Sequence, residues 1–267
     1  MKKILRWIWL HVRQIMIACV LGLMLLALLD KISFSLYFFS LFAILFFTLV
    51  FNRSYVRSID RSYSMDCDPE PYLETYLAYI HRYRNAHRAS IRASLWSAHL
   101  SVSSALSSLG RDREAKEYLD AIDTSNLSAY NKFCYQHNRF VISHRLGYAN
   151  WAVYTEYLDL AESVLEKGAI PQTMRERTSD VLLCDRLLLR FWRDGTSEEI
   201  ERRMSEMLSR AKVEIDRVSF RWNLAQCALS RGDYAAARAH LEYVVAHGNK
   251  LYARTEAEEL LRTLPQA

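Results

Sequence analysis

The chain has 267 residues, with only 7 Gly and 4 Pro, and a formal net charge of +5. Such scarce turn residues exclude loop-rich and all-β folds and favour long helices joined by short connections. The positive charge lies in residues 1–61, which hold eight Lys or Arg and two acids, whereas residues 62–267 hold 27 basic and 28 acidic side chains. Nucleic-acid binding requires clustered positive charge, so we expect no nucleic-acid partner for the larger part of the chain.

Two uncharged apolar runs lie near the N-terminus, at residues 15–29 and 32–51, and Asp30-Lys31 separates them. At about 1.5 Å per residue the second run spans roughly 30 Å, the thickness of a hydrocarbon core. The first run reaches that length when Trp7 and its neighbours are added. One continuous helix would place Asp30 and Lys31 in mid-membrane, so we predict a transmembrane helical hairpin over residues 1–52, with lipid contact through residues 7–51.

Basic residues flank both ends of this predicted hairpin: Lys2, Lys3, Arg6 and Arg13 before it, and Arg53, Arg57 and Arg61 after it. The positive-inside rule then predicts a multi-pass protein of the cell (inner or plasma) membrane, with its N-terminus and C-terminal domain in the cytoplasm. The competing interpretation is a signal peptide that ends near residue 30. It lacks a small-x-small cleavage site, and a second apolar run follows at once.

After the hairpin, residues 53–70 predict a basic juxtamembrane linker that could also extend the second span as a helix. Asp68 is a candidate cap for the helix that follows. Residues 71–267 predict a cytoplasmic all-α domain without strands, because Gly residues interrupt successive segments of helical periodicity. The predicted helices are 71–84, 89–109, 112–123, 127–146, 149–167, 173–193, 197–213, 215–230, 233–247 and 250–263.

An internal repeat connects residues 100–122 with residues 222–245. Aligning Gly110 with Gly232 also aligns the following pairs: Leu106 with Ala228, Ala115 with Ala237, Leu119 with Leu241, and Ile122 with Val244. Each segment is a helix, a Gly turn and a second helix, with a small residue that allows close helix packing. The pattern resembles the tetratricopeptide repeat, most closely over residues 218–251, where Leu224, Ala225, Gly232, Tyr234, Ala237 and Leu241 are in register.

The resemblance implies a tetratricopeptide-like α-solenoid, a right-handed stack of antiparallel helix pairs whose concave groove binds an extended peptide or a partner helix. The residues that it places along the groove are Ser97, Leu100, Ser104, Ser108, Ser219, Trp222 and Gln226. The alternative for these positions is a purely structural role, with Trp222 in the core and the serines facing water.

The tripeptide Arg231-Gly232-Asp233 could be an extracellular adhesion ligand. Its neighbours favour a helical turn instead, with Gly232 ending one helix and Asp233 capping the next. Among catalytic and metal motifs, Cys134 and His137 lie on one helical face, but a structural zinc site needs four ligands. We therefore expect no catalytic, cofactor-binding or metal residues, and no enzyme activity.

These patterns together predict a membrane-anchored helical-repeat scaffold or adaptor that binds a protein partner at the cytoplasmic membrane surface. Two alternatives stay open: a structural subunit of a membrane complex assembled through the hairpin, and a ligand-sensing regulatory protein or an enzyme with a dispersed site. The sequence leaves the oligomeric state open.

Overall fold

The computed structural model describes residues 2–29, 31–86, 88–148, 150–168 and 170–265. Within these residues the protein is all-helical, with twelve α-helices, one short 3-10 helix and no β-strand. Contacts divide the chain into two compact units, Met1–Arg61 and Ser62–Ala267.

The first unit contains the long helices α1 (Lys2–Leu28) and most of α2 (Phe34–Ser64). Helix α2 is long and apolar enough to cross a membrane. Helix α1 bends by 63° between Ile4–Val12 and Gln14–Leu28, and the two parts reach the same length and composition only when taken together. The indole of Trp9 on α1 and the ring of Tyr55 on α2 lie 5.5 Å apart between centroids.

Two sequence predictions concern the ends of α2: a turn at Asp30-Lys31 before it and a linker at residues 53–70 after it. Asp30, half of the predicted turn, lies outside the described residues, and Lys31 is exposed beside it. Helix α2 continues to Ser64, so the first part of the predicted linker 53–70 is helical. The chain then leaves the helix through Cys67, whose φ of 50° is unusual for a residue with a side chain.

After the end of α2, the described residues of the second unit form ten α-helices, and each lies within three residues of its predicted bounds at either end. A 3-10 turn at Thr124–Asn126 precedes the fourth of them. The helices are α3 (Glu70–Tyr83), α4 (Ala89–Ser108), α5 (Asp112–Asp120), α6 (Ala129–Arg145), α7 (Trp151–Lys167), α8 (Gln172–Asp194), α9 (Glu198–Arg210), α10 (Glu214–Ser230), α11 (Tyr234–His247) and α12 (Tyr252–Thr263).

The turn around Arg231-Gly232-Asp233 has the predicted conformation. Gly232 has a φ of +75°, which a residue without a Cβ adopts at little cost. The Asp233 carboxylate accepts a hydrogen bond from the Ala236 N–H at 3.0 Å and caps α11. The tripeptide is therefore the junction between α10 and α11.

The core of the second unit is a chain of four buried clusters. The first joins α3 to α6, the second α6 to α8, the third α8 to α10, and the fourth α10 to α12. Each helix packs against the next one along the chain. Burial is therefore organised between neighbours in sequence, as in proteins that stack helix pairs.

One contact joins distant parts of this unit. The ring of Tyr252, at the start of α12, lies against Gly110 in the turn between α4 and α5. The guanidinium of Arg145, at the end of α6, lies over the same ring, 5.0 Å from its centroid. The start of α12 therefore contacts the turn between α4 and α5 and the end of α6.

Candidate functional site

Side-chain bonds link alternate helices of the second unit into a row. Between α4 and α6, Asn131 donates to Ser97 Oγ at 2.6 Å and Asn138 donates to Ser104 Oγ at 2.8 Å. Two further pairs continue the row: His137 with Asp185 between α6 and α8, at 2.7 Å, and Arg177 with Asp216 between α8 and α10, at 2.8 Å. This row contains both helices, α4 and α10, that carry the predicted groove residues.

The predicted groove residues of α4 are engaged within the domain. Leu100 is 4% exposed and belongs to the first core cluster. The hydroxyls of Ser97, Ser104 and Ser108 each donate to the carbonyl oxygen four residues earlier, at 3.0–3.1 Å. Since Ser97 and Ser104 also accept from α6, much of their hydrogen-bonding capacity is used inside the domain.

A segment of the same chain lies against the C-terminal part of α4. We call residues 62–70 the strap. The hydroxyl of Tyr63 lies 2.8 Å from Ser108 Oγ and 3.4 Å from the carbonyl oxygen of Ser104. Its ring stacks on Tyr72 with 4.9 Å between centroids, and burial raises the pKa of the phenol. The strap therefore covers part of the predicted α4 surface.

The other end of the strap is fastened to the turn between α11 and α12. Cys67 is fully buried among residues of α10 to α12. Its carbonyl oxygen accepts from the Lys250 N–H at 3.2 Å, and Asn249 donates to the Asp66 carbonyl oxygen at 2.7 Å. The ammonium of Lys250 lies 2.5 Å from Glu70 and 3.2 Å from Asp68. The strap thus contacts both ends of the helical domain.

The predicted groove residues of α10 are more open. Ser219 is exposed, and its hydroxyl donates to the Ile215 carbonyl oxygen at 2.8 Å. Gln226 is half-buried, and Trp222 packs at the edge of the fourth core cluster. The structure therefore separates the seven predicted residues into an α4 group that is held within the domain and an α10 group that reaches the surface.

The pair His137–Asp185 is the more buried of the two ion pairs in the row. The Asp185 side chain is only 4% exposed. Burial by itself lowers the pKa of His137, but the charge and the hydrogen bond of Asp185 outweigh it, and the pKa lies above its usual value. Burial raises the pKa of Asp185, although His137 opposes that effect. The pair therefore fixes α6 against α8 through a bond that depends on protonation.

Burial raises the pKa of all four thiols of the second unit and so lowers their thiolate fraction. It raises the pKa of Cys67 to about 12 and that of Cys134 to about 11, and Cys184 and Cys227 are also buried. Only the thiolate is a good nucleophile or metal ligand. Among the described residues, no three His, Cys, Asp or Glu side chains are grouped as a metal site would require.

Sequence reasoning missed Asn131 and Asn138, although the sequence contained a signal for them. They are seven residues apart on α6, and Ser97 and Ser104 are seven residues apart on α4. Because the spacings match, each asparagine can meet one serine when the two helices pack side by side. The hydroxyl of Tyr63 had no such signal, because its hydrogen-bond partners lie more than forty residues away in the chain.

Comparison with known proteins assigns no family to this chain: no family model, curated protein sequence or solved structure matches it significantly.

Proposed function

We propose that this protein is a membrane-anchored helical scaffold or adaptor that binds a protein partner at the cytoplasmic face of the cell membrane. The observation that carries the proposal is helix α2, which has the length and hydropathy of a membrane span and continues to the first residues of the helical domain. Such an anchor raises the effective concentration of the domain for any partner at the membrane.

The proposed anchor is a two-helix hairpin with both ends in the cytoplasm. The approach of Trp9 near the start of α1 to Tyr55 near the end of α2 supports the antiparallel arrangement. The apolar surface supports lipid contact, since Phe42, Phe47 and Leu49 are 69–71% exposed. The basic residues on both flanks support the orientation.

Labelling of single introduced cysteines with an impermeant thiol reagent tests this topology. The native thiols of the second unit are unsuitable because none of them is exposed, so we choose exposed positions in Lys31→Cys and Ala235→Cys. In intact cells we expect labelling at position 31 alone, and labelling at position 235 only after lysis. Labelling at position 235 in intact cells would place the helical domain outside and overturn the proposal.

The proposed domain architecture is an α-solenoid similar to tetratricopeptide repeats. Three observations support it: core clusters that join neighbouring helices, side-chain bonds that link α4, α6, α8 and α10, and the matched Gly turns at Gly110 and Gly232. Because the strap and α6 engage the α4 residues, the partner would bind chiefly around Ser219 and Gln226 on α10.

Photo-crosslinking in native membranes tests that surface. A photoreactive amino acid at Ser219 or Gln226 of the full chain should give adducts of discrete mass with another protein. The same group at Glu242, exposed on α11, serves as the control and should give none. If all three positions give the same adducts, or none does, the α10 surface is not the binding site.

The exposed aromatic surface of α1 and α2 favours a second candidate function, a structural subunit that assembles through its membrane helices. Exchange of residues 1–51 for an unrelated two-span anchor separates the two functions. Partners that co-purify with the exchanged protein bind the helical domain. Partners that are lost, while the exchanged protein stays in the membrane, assemble through the hairpin.

A further inference from the structure

A cavity of about 410 Å³ lies where α9, α10 and α11 meet. Its lining contains the guanidinium groups of two arginines and three hydroxyls, of which Ser209 donates to the Glu206 carbonyl oxygen and Tyr243 donates to Glu214. The lining residues are Ser205, Leu208, Ser209, Arg217, Arg221 and Tyr243. Arg217 and Arg221 lie one turn apart on α10, at roughly 160° around the helix from Ser219, so the cavity is separate from the proposed partner surface.

Arg221 is a half-buried cation without a carboxylate partner among the described residues. Its Nη1 donates to His240 Nδ1 at 3.1 Å, so this imidazole nitrogen must be the unprotonated one. Burial, together with the charge of Arg221, lowers the pKa of His240 and keeps the ring neutral. The guanidinium lies over the Tyr243 ring at 4.9 Å, which orients it without neutralising it.

Arg217 adds a second guanidinium group, which is paired with one carboxylate. It donates through Nε to the Ala211 carbonyl oxygen at 3.2 Å and through Nη1 to Glu214 at 3.1 Å. Glu214 also accepts from the Tyr243 hydroxyl at 2.7 Å and lies 3.3 Å from His247. Glu214 therefore compensates one of the two guanidinium groups, and the charge of Arg221 leaves the cavity with an excess of positive charge.

Guanidinium groups form their strongest hydrogen bonds with carboxylate and phosphate oxygens, and a partly desolvated guanidinium gains most from such a partner. From these contacts we propose that the cavity between α9, α10 and α11 binds a phosphate or carboxylate group, held by Arg217 and Arg221 with a hydroxyl donor from Ser205. The site goes beyond the proposed function, because it would take a small anion or an anionic side chain on a different surface.

The test measures thermal unfolding and calorimetric binding of the purified full chain with sodium phosphate, sodium succinate and sodium chloride at equal ionic strength. A ligand that binds the folded state raises the midpoint in a saturable way, whereas exclusion of salt from the surface acts without saturation. The wild type should show saturable stabilisation by phosphate or succinate but not by chloride. The anion that acts at the lower concentration identifies the class of ligand.

Two variants assign the effect to the cavity. Arg221→Gln should weaken anion binding by about tenfold or more, since charge-assisted bonds are lost. The matched control is Arg203→Gln on α9, an exposed arginine that does not line the cavity, and it should bind as the wild type does. Ser205→Glu places a carboxylate at the exposed edge of the cavity, so it should raise the midpoint without added anion and abolish the response to phosphate and succinate.

The proposal is overturned if neither anion stabilises the wild type beyond chloride. It is also overturned if Arg203→Gln loses as much affinity as Arg221→Gln, because the effect would then follow net charge and not the cavity. Ser205→Glu keeps the test decisive even if Arg221→Gln is unstable, since it leaves the contacts of Arg221 with His240 and Tyr243 in place.

Discussion

Gly110 and Gly232 occupy the same position in the two matched segments, and each has a φ of +75°. Their surroundings differ. A Cβ at Gly110 would lie 2.4 Å from Cδ2 of Tyr252, whereas a Cβ at Gly232 would meet no atom within 4 Å. The turn alone requires glycine at Gly232, and the turn and the contact with α12 both require it at Gly110.

We expect Gly232→Ala to lower the free energy of unfolding by about 1–2 kcal/mol, the cost of the left-handed conformation. Gly110→Ala should cost roughly 3 kcal/mol or more, because the Tyr252 ring must also move. Equilibrium unfolding of the full chain measures both. Adding Tyr252→Ala should reduce the cost of Gly110→Ala to that of Gly232→Ala, and equal costs without that second change would contradict the steric account.

The pair His137–Asp185 predicts a pH dependence. The pKa of His137 is raised in the folded protein, so its contribution to stability is full below about pH 6.5 and disappears as pH rises through the folded pKa. The raised pKa of Asp185 acts in the same direction. The unfolding midpoint should therefore fall as pH rises above about 6.5.

Asp185→Asn should flatten this decline, because the buried carboxylate is removed. His137→Ala should cost about 3–5 kcal/mol near neutral pH, since Asp185 is left buried without its partner. The control is His81→Gln, an exposed histidine, which should leave the pH profile unchanged. A decline that Asp185→Asn leaves unaltered would exclude this pair as the titrating group.

At the scale of the element, the helices of the second unit are predictable from local signals. Hydrophobic periodicity locates these helices and Gly residues mark six of the nine junctions between them, because apolar faces and helix stops are properties of neighbouring residues. The end of α2 is harder to predict. Residues 53–64 are basic and poor in apolar residues, yet they continue the helix to Ser64, the extension that the sequence left open.

Arginine substitutions at two serines of helix α2 test whether its apolar segment spans the membrane. Ser40 lies near the middle of the apolar run, and Ser58 is exposed beyond it on the same helix. An arginine at the centre of a span costs about 2.5–3.5 kcal/mol on insertion scales. We expect Ser40→Arg to reduce the fraction of protein that resists carbonate extraction from membranes and Ser58→Arg to leave it unchanged; equal behaviour of the two variants would argue against a span at this position.

At the scale of the whole molecule, Tyr252 makes a long-range contact with Gly110 and Arg145. It joins the start of α12 to the turn between α4 and α5 and to the end of α6. We expect Tyr252→Ala to cost about 3 kcal/mol through lost aromatic packing. The control, Tyr234→Ala, removes a ring that is 44% exposed and should cost less than about 1 kcal/mol.

Hydrogen exchange distinguishes loss of this contact from general destabilisation. In Tyr252→Ala, amide protection should fall first in the turn between α4 and α5 and in α12, while α8 keeps its protection. A uniform loss across all helices would mean that the contact does not join separate parts of the domain.

The sequence by itself determined the all-helical class, the positions of the helices and the apolar character of residues 32–51. These features follow from interactions between residues a few positions apart, and such interactions are readable along the chain. The sequence also identified the turn at Gly232 and Asp233, because a left-handed glycine and a capping carboxylate act locally.

Only the tertiary structure decided which surfaces are available. The α4 serines predict a groove, yet Ser97 and Ser104 bond to α6, and Ser108 meets Tyr63 of the strap. The hydrogen bonds of the Tyr63 hydroxyl join residues at least 41 positions apart, and the strap bonds at Lys250 join residues at least 180 positions apart. No local pattern specifies such pairs. Whether two distant residues meet depends on the packing geometry of all the helices that lie between them along the domain.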